Sequence, residues 1–190
     1  MKKYEKTFLT MGIVFALIFL SWGIVRIVKG VQFDFACTAY LKRAANANTI
    51  ELAKTELGKA IEYAKTNKLT KGTVSIFLKN PANDIGFWYK NMKSAYEELD
   101  NLNDDATALE KTNVLMKLRE SLTDNDSSGS TNVITPEGIT VYPNNMIYFI
   151  WGMGSCIISI VFFILYAVCI DLKIKLDTVV EKRKILIKKD

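Results

Sequence analysis

Residues 88–116 read WYKNMKSAYEELDNLNDDATALEKTNVLM. At alternating steps of four and three they give Trp88, Met92, Ala95, Leu99, Leu102, Ala106, Leu109, Asn113 and Met116. Every rung but Asn113 is apolar or small, which is the period of a helix packed along a coiled-coil-like seam. A lone Asn in such a seam is a device for fixing register or oligomeric state. The ladder predicts one helix from Pro81 to about Leu122. Asn80 is its N-cap, Pro81 its first position, and Asp84 complements the positive end of the helix dipole.

Upstream, Val31 to Leu57 lacks Pro and Gly and is rich in Ala, Leu, Lys and Glu. Such composition favours a single helix continuing to about Thr66, closed by Asn67. The apolar row shifts phase at Asn46–Thr49, where Asn48 and Glu51 resemble a capping box, so a restart there is the alternative. The continuous reading makes two rods of about 58 and 63 Å. They are joined by a tip loop, Lys68 to Asn80, which turns at Gly72 and has an extended piece at Thr73–Leu78. In that antiparallel hairpin Trp88 lies at the tip and Met116 near the base. Phe87 and Tyr89 flank the seam as a candidate partner surface, though packing beneath the tip loop against Tyr63, Ile76, Phe77 and Leu78 is the plainer reading. A lone hairpin buries little, so self-association into a four-helix bundle, or docking onto a partner, is expected.

The hairpin lies between two uncharged apolar runs, Thr7–Val25 and Met146–Ile170. Each exceeds the roughly 18 residues that make a membrane-span candidate. The net charge of +5 sits entirely on the tails: three Lys against one Glu before Phe8, seven basic residues against four acids after Ile170, and fifteen of each sign between Arg26 and Glu137. Basic flanks of this kind stay cytoplasmic. The expected protein is therefore multi-pass in the inner (cytoplasmic) membrane, with both termini inside and the loop outside. An uncleaved anchor fits the first run better than a signal peptide, because no small-x-small cleavage site follows it closely. The charge partition also removes the case for a nucleic-acid partner.

The expected fold is mainly α. Residues 1–7 form a cytoplasmic tail, 8–28 the first span and 29–123 an extracytoplasmic helical hairpin. Residues 124–145 form a polar linker and a juxtamembrane β-hairpin with strands at 132–135 and 139–142, 146–170 the second span, and 171–190 a basic tail suited to an anionic leaflet. Gly12 and Ala16 in the first span, and Gly152, Cys156, Ser155 and Ser159 in the second, are small residues that let helices approach closely.

Chemistry is sparsely signalled. The chain has no His, which removes Ser-His-Asp and Cys-His nucleophile systems and His-ligated metal sites. Asp124–Gly129 imitates the first half of a calcium loop, but Thr135 stands where a bidentate Glu is required. Asp104 and Asp105 point off the seam as a solvated face or a helix restart. Cys37 reads as a packed free thiol in preference to an interchain bridge, and Cys156 and Cys169 are about 20 Å apart along one helix. No catalytic residue, metal or cofactor follows.

Leu41-Lys-Arg-Ala-Ala-Asn-Ala-Asn-Thr-Ile-Glu-Leu-Ala-Lys54, with Gly86-Phe-Trp-Tyr89 and Leu109-Glu-Lys-Thr-Asn113, resembles an uncharacterised family of bacterial membrane-anchored helical proteins. The resemblance spans residues 33–145 and implies no activity or site. The layout is also similar to the sensor half of bacterial transmembrane receptors, without a signalling domain after the second span. Two functions follow as expectations: a non-enzymatic scaffold, adaptor or accessory subunit that pairs through Trp88, Met92, Leu99 and Leu102 with itself or a membrane-protein partner, or a ligand-binding sensor that signals through its spans.

Overall fold

The structure, a computed structural model, describes residues 2–75, 77, 79–103, 105–125, 131–136, 138–139 and 145–187. Two compact units result. One combines Met1–Val25 with Ile147–Asp190, and the other is Arg26–Met146.

The first unit contains nearly all of the two uncharged apolar runs. Helix α1 (Lys2–Phe33) continues through a π-helical turn (Asp34–Thr38) into α2 (Ala39–Ala45). Near the other terminus α6 (Asn145–Phe149) passes through a π-helical turn (Ile150–Gly154) into α7 (Ser155–Ile187). Both stretches, Tyr4–Ala45 and Met146–Lys184, contain windows long and apolar enough to cross a membrane. Only 6% and 11% of those windows is buried in the protein. The core helix of a soluble protein would hide such a window, so an apolar solvent is the consistent surrounding.

The second unit is a four-helix bundle built by α2, α3 (Ile50–Thr66), α4 (Ile85–Asp100) and α5 (Ala108–Leu122). Cys37 meets Ala60 and Arg43 meets Glu56, so α3 retraces the path of α2. Tyr96 lies against Gly58 and Asp100 pairs with Lys54, which makes α4 antiparallel to α3. Asn91 bonds to Ser121 and Glu98 to Lys117, which reverses the chain again. Because α5 also packs on α2, the ring closes within one chain. Leu41, Leu57, Ile85, Met92, Leu99, Leu118 and Leu122 fill it, each at most 3% exposed.

Both long rods of the sequence reading are broken. The upstream helix stops at Asn46, whose amide bonds to the Lys42 carbonyl, and restarts at Ile50. Thr49, not Asn48, is the N-cap, accepting from the Leu52 amide at 3.2 Å. The phase shift gives the physical reason. Folding back turns the Cys37–Leu41–Ala44 row and the Ala53–Leu57–Ala60 row onto one core, whereas a straight helix would splay them apart. The ladder helix breaks at Asn101 and resumes under a capping box: Thr107 Oγ1 accepts from the Glu110 amide at 3.3 Å, and Glu110 Oε2 accepts from the Thr107 amide at 2.7 Å. These bonds to its ionised form hold the Glu110 carboxyl below the usual carboxylate range. At its start, the Asn80–Pro81 signal makes only a short 3₁₀ turn (Pro81–Asn83), and Asp84 caps α4 four residues later by accepting from the Phe87 amide at 3.0 Å.

The small sheet is also shifted. β1 (Thr123–Asn125) pairs antiparallel with β2 (Thr131–Val133), in register Thr123↔Val133. The strand expected at 132–135 thus pairs with β1, and residues 140–142 of its expected partner lie outside the described residues. Ile76 and Leu78 of the expected extended piece and Asp104 also lie outside them, while Thr73 bridges to Asp84.

The break rotates the second half of the ladder. Trp88, Met92 and Leu99 are buried and Ala95, Leu102 and Ala106 half-buried, but Leu109, Asn113 and Met116 face outward. The core stripe of α5 is instead Val114, Leu115, Leu118 and Leu122. Met92→Ala and Leu99→Ala are each expected to destabilise the bundle by about 2–5 kcal/mol. Leu109→Ala and Met116→Ala should shift it by less than about 0.5 kcal/mol. The denaturant dependence of Cys37 labelling, with Cys156 and Cys169 replaced by Ala, measures this, and equal losses at all four positions would contradict the outward placement.

Candidate functional site

Within the first unit, the small residues of the two long helices meet. Ser159 Oγ donates to the Gly12 carbonyl at 3.0 Å, and a Cβ on Gly12 would stand 3.2 Å from the Phe163 ring. Gly152 lies so close under the Trp22 indole that any Cβ would overlap it. Trp151 Nε1 donates to the Ile18 carbonyl at 3.2 Å, and Glu5 and Lys173 pair at 3.2 Å. Contacts that run from Glu5 with Lys173 to Trp22 with Gly152 make the two helices antiparallel. Ser155 is buried and donates back to the Gly152 carbonyl of its own helix at 3.0 Å, so its hydroxyl is spent on local backbone. Ala16 and Cys156 are half-buried. Phe15 and Phe162 stack with ring centroids 6.0 Å apart, adding an aromatic contact to a seam otherwise made by small residues.

In the bundle, Trp88 is 6% exposed, and its indole Nε1 donates to the Ile134 carbonyl at 3.0 Å. Its ring lies 6.3 Å from that of Phe33, at the end where the chain enters the bundle. The expected position at a remote tip is thereby corrected: the far end is formed by Asn46–Thr49 and residues 101–103 and 105–107. Tyr89 packs partly against the core, whereas Phe87 is 68% exposed. Of the two candidate surface aromatics, Phe87 is the more open.

Three features bear on chemistry. Glu56, buried on the core stripe of α3, is held by Arg43 Nε at 3.0 Å and Lys59 Nζ at 2.9 Å, with both cations over the Tyr40 ring. A buried carboxylate between two partly exposed cations forms an ion-pair network, and loss of both cations would leave an uncompensated buried charge. The sequence reading missed it, although a Glu between Ala53 and Leu57 on the apolar stripe is a visible irregularity. A groove of about 440 Å³ runs between α3 and α4, beside Gly58, Ile61 and Tyr96. Of the charged groups on its wall, Lys93 pairs with Glu97 at 3.0 Å and Asp100 pairs with Lys54, and Glu62 and Lys65 also line it. Cys37 is fully buried, and burial pushes its thiol up to about 12. Burial, and secondarily the neighbouring Cys37, also raise Tyr63. A thiol so placed is protonated and inert at physiological pH. Among the described residues, no three His, Cys, Asp or Glu converge as a metal site.

No protein-family model matches the chain, nor does any curated protein or solved structure match it significantly. The residues alone therefore carry the functional argument.

The helix seam of the first unit is testable directly. In a Cys156→Ala/Cys169→Ala background, Gly12→Cys with Ser159→Cys is expected to close an intramolecular disulfide on mild oxidation. Gly12→Cys with Ile157→Cys is expected to stay open, because Ile157 is 56% exposed and points away. Non-reducing electrophoresis with thiol alkylation reads both, and closure of the second pair alone would contradict the interface.

Proposed function

We propose that this protein is a non-enzymatic integral membrane scaffold or accessory subunit whose helical bundle engages a membrane-anchored partner, either a second copy or another protein. The observation that carries the proposal is the outward row on α5. Leu109 is 70% and Met116 56% exposed, on a helix whose core stripe is already satisfied by Leu118 and Leu122. Large apolar side chains repeated along one exposed face fit a helix-in-groove contact. Asn113 between them supplies the polar group that selects register in such contacts.

The basic tails support a topology with both termini in the cytoplasm and the bundle outside. A non-enzymatic reading is favoured by Glu56, whose charge is committed to Arg43 and Lys59. The sensor alternative draws on the α3–α4 groove. The Lys93–Glu97 and Lys54–Asp100 pairs disfavour it, because a charged ligand would compete with them.

Cys37 is too deeply buried to report sidedness, so Leu109→Cys serves instead, with Cys156 and Cys169 replaced by Ala. A membrane-impermeant, photoactivatable thiol reagent applied to intact cells is expected to label it and, on illumination, give a discrete adduct of higher mass. Labelling only after lysis would contradict the topology. Labelling without an adduct would contradict docking through α5.

A further inference from the structure

The loop between α3 and α4 has a composition that the bundle does not require. From Asn67 to Asn83 it contains Lys68, Lys71 and Lys79 and no acidic residue, and Lys65 precedes it in the last turn of α3. All four lysines are exposed, and Phe77 is 73% exposed among them. Phe87, 68% exposed, follows on the first turn of α4, where Asp84 is occupied as the helix cap. Basic residues interleaved with open aromatics are the composition of a segment that settles into the headgroup layer of an anionic bilayer, with rings at the acyl boundary and ammonium groups at the phosphates.

The position of the loop selects that occupant over a soluble anion. The Gly72 carbonyl accepts from the Ile85 amide at 2.9 Å, and Val74 donates to the Asn83 carbonyl at 2.9 Å, so the loop is fixed to the start of α4. The same end holds Trp88 against Phe33. Val74 and Arg26 both flank Gly138, at 3.3 and 3.9 Å from where its Cβ would be. Arg26 is the residue at which the bundle begins, immediately after the apolar window of α1. Lys68 adopts a left-handed backbone, φ +58°, in the turn that directs the chain from α3 into this loop. The basic and aromatic loop, attached to the start of α4 through Gly72 and Val74, thus stands at the bundle end where the chain arrives from its first span candidate.

We infer that the Lys68–Asn80 loop, with Phe77 and Phe87, docks onto the anionic phospholipid headgroups of the same membrane that holds the two long apolar helices. The inference rests on the membrane reading above. Its effect is to hold the bundle at a defined tilt over the bilayer, leaving the α5 row free for a partner.

The test uses the full chain as wild type and as Phe77→Trp, reconstituted in nanodiscs of phosphatidylcholine and phosphatidylglycerol at about three to one. Wild-type emission includes Trp22 and Trp151, so its quenching by acyl-brominated lipid reports insertion of the long helices. The emission added by Phe77→Trp reports the loop, and an unlabelled Cys37 certifies a folded bundle. Expected are a loss of about half or more of the added emission to brominated lipid, as for a ring at the acyl boundary, and poor access to soluble acrylamide. Phosphatidylcholine alone, or Lys68→Gln/Lys71→Gln/Lys79→Gln, should restore acrylamide access. Wild-type quenching without quenching of the added emission would overturn the docking, and points to a protein occupant or to solvent. Absence of wild-type quenching would overturn the membrane reading itself.

Discussion

The bundle depends on how Trp88 is held. Its indole N–H has one acceptor, the Ile134 carbonyl, and its ring meets Phe33 where the entering helix bends into the bundle. The Ile134 amide in turn donates to the Leu122 carbonyl at the end of α5. One buried aromatic therefore ties together the entering helix, the start of α4, the end of α5 and the departing segment. A buried indole without its acceptor loses on the order of 1–3 kcal/mol, and truncation of the ring opens a cavity among Phe33, Tyr63 and their neighbours. The hydrophobic seam that begins at Trp88 is buried only as far as the chain reversal at Asn101.

That reversal explains why a ladder of regular period misleads. A rung pattern records which residues would share a face if the helix never stopped, and Thr107 with Glu110 stops and restarts it. The capping box stands in the sequence as Thr107-Ala-Leu-Glu110, a local signal that the apolar period runs straight across. At Asn46–Thr49 the local signals conflict in another way. The phase shift of the apolar rows was visible, yet a four-residue turn without Gly or Pro looks like helix by composition. Folding back there closes the core against Cys37 and Ala60, and no local rule foresees a contact between residues so far apart in the chain. The β1–β2 pairing was obscured in the same way, since the polar run after α5 reads as linker until its register with Thr131–Val133 is known.

Composition was a better guide where the physics is regional. The two apolar windows, the partition of charge onto the tails and the small residues Gly12, Gly152 and Ser159 are properties of segments, and they need no tertiary contact to be read. The candidate surface was legible only in part. Phe87 was visible as an aromatic beside the seam, but the outward turn of Leu109 and Met116 follows from the rotation imposed at the break. Glu56 became meaningful only once Arg43 was brought back beside it. A bundle closed within one chain also changes what association would mean: a partner would have no core to complete and would meet a finished surface.

The arrangement of the four helices is most directly tested by distance measurements between spin labels on the folded, membrane-reconstituted chain, with Cys156 and Cys169 replaced. Labels at Lys29 and Lys90 report on the entry end, and labels at Lys29 and Asn103 span the bundle. The closed bundle requires the Lys29–Lys90 separation to be the shorter by about 15 Å or more, the rise along most of α4. A shorter Lys29–Asn103 separation, as a single long hairpin with Trp88 at its tip demands, would contradict it.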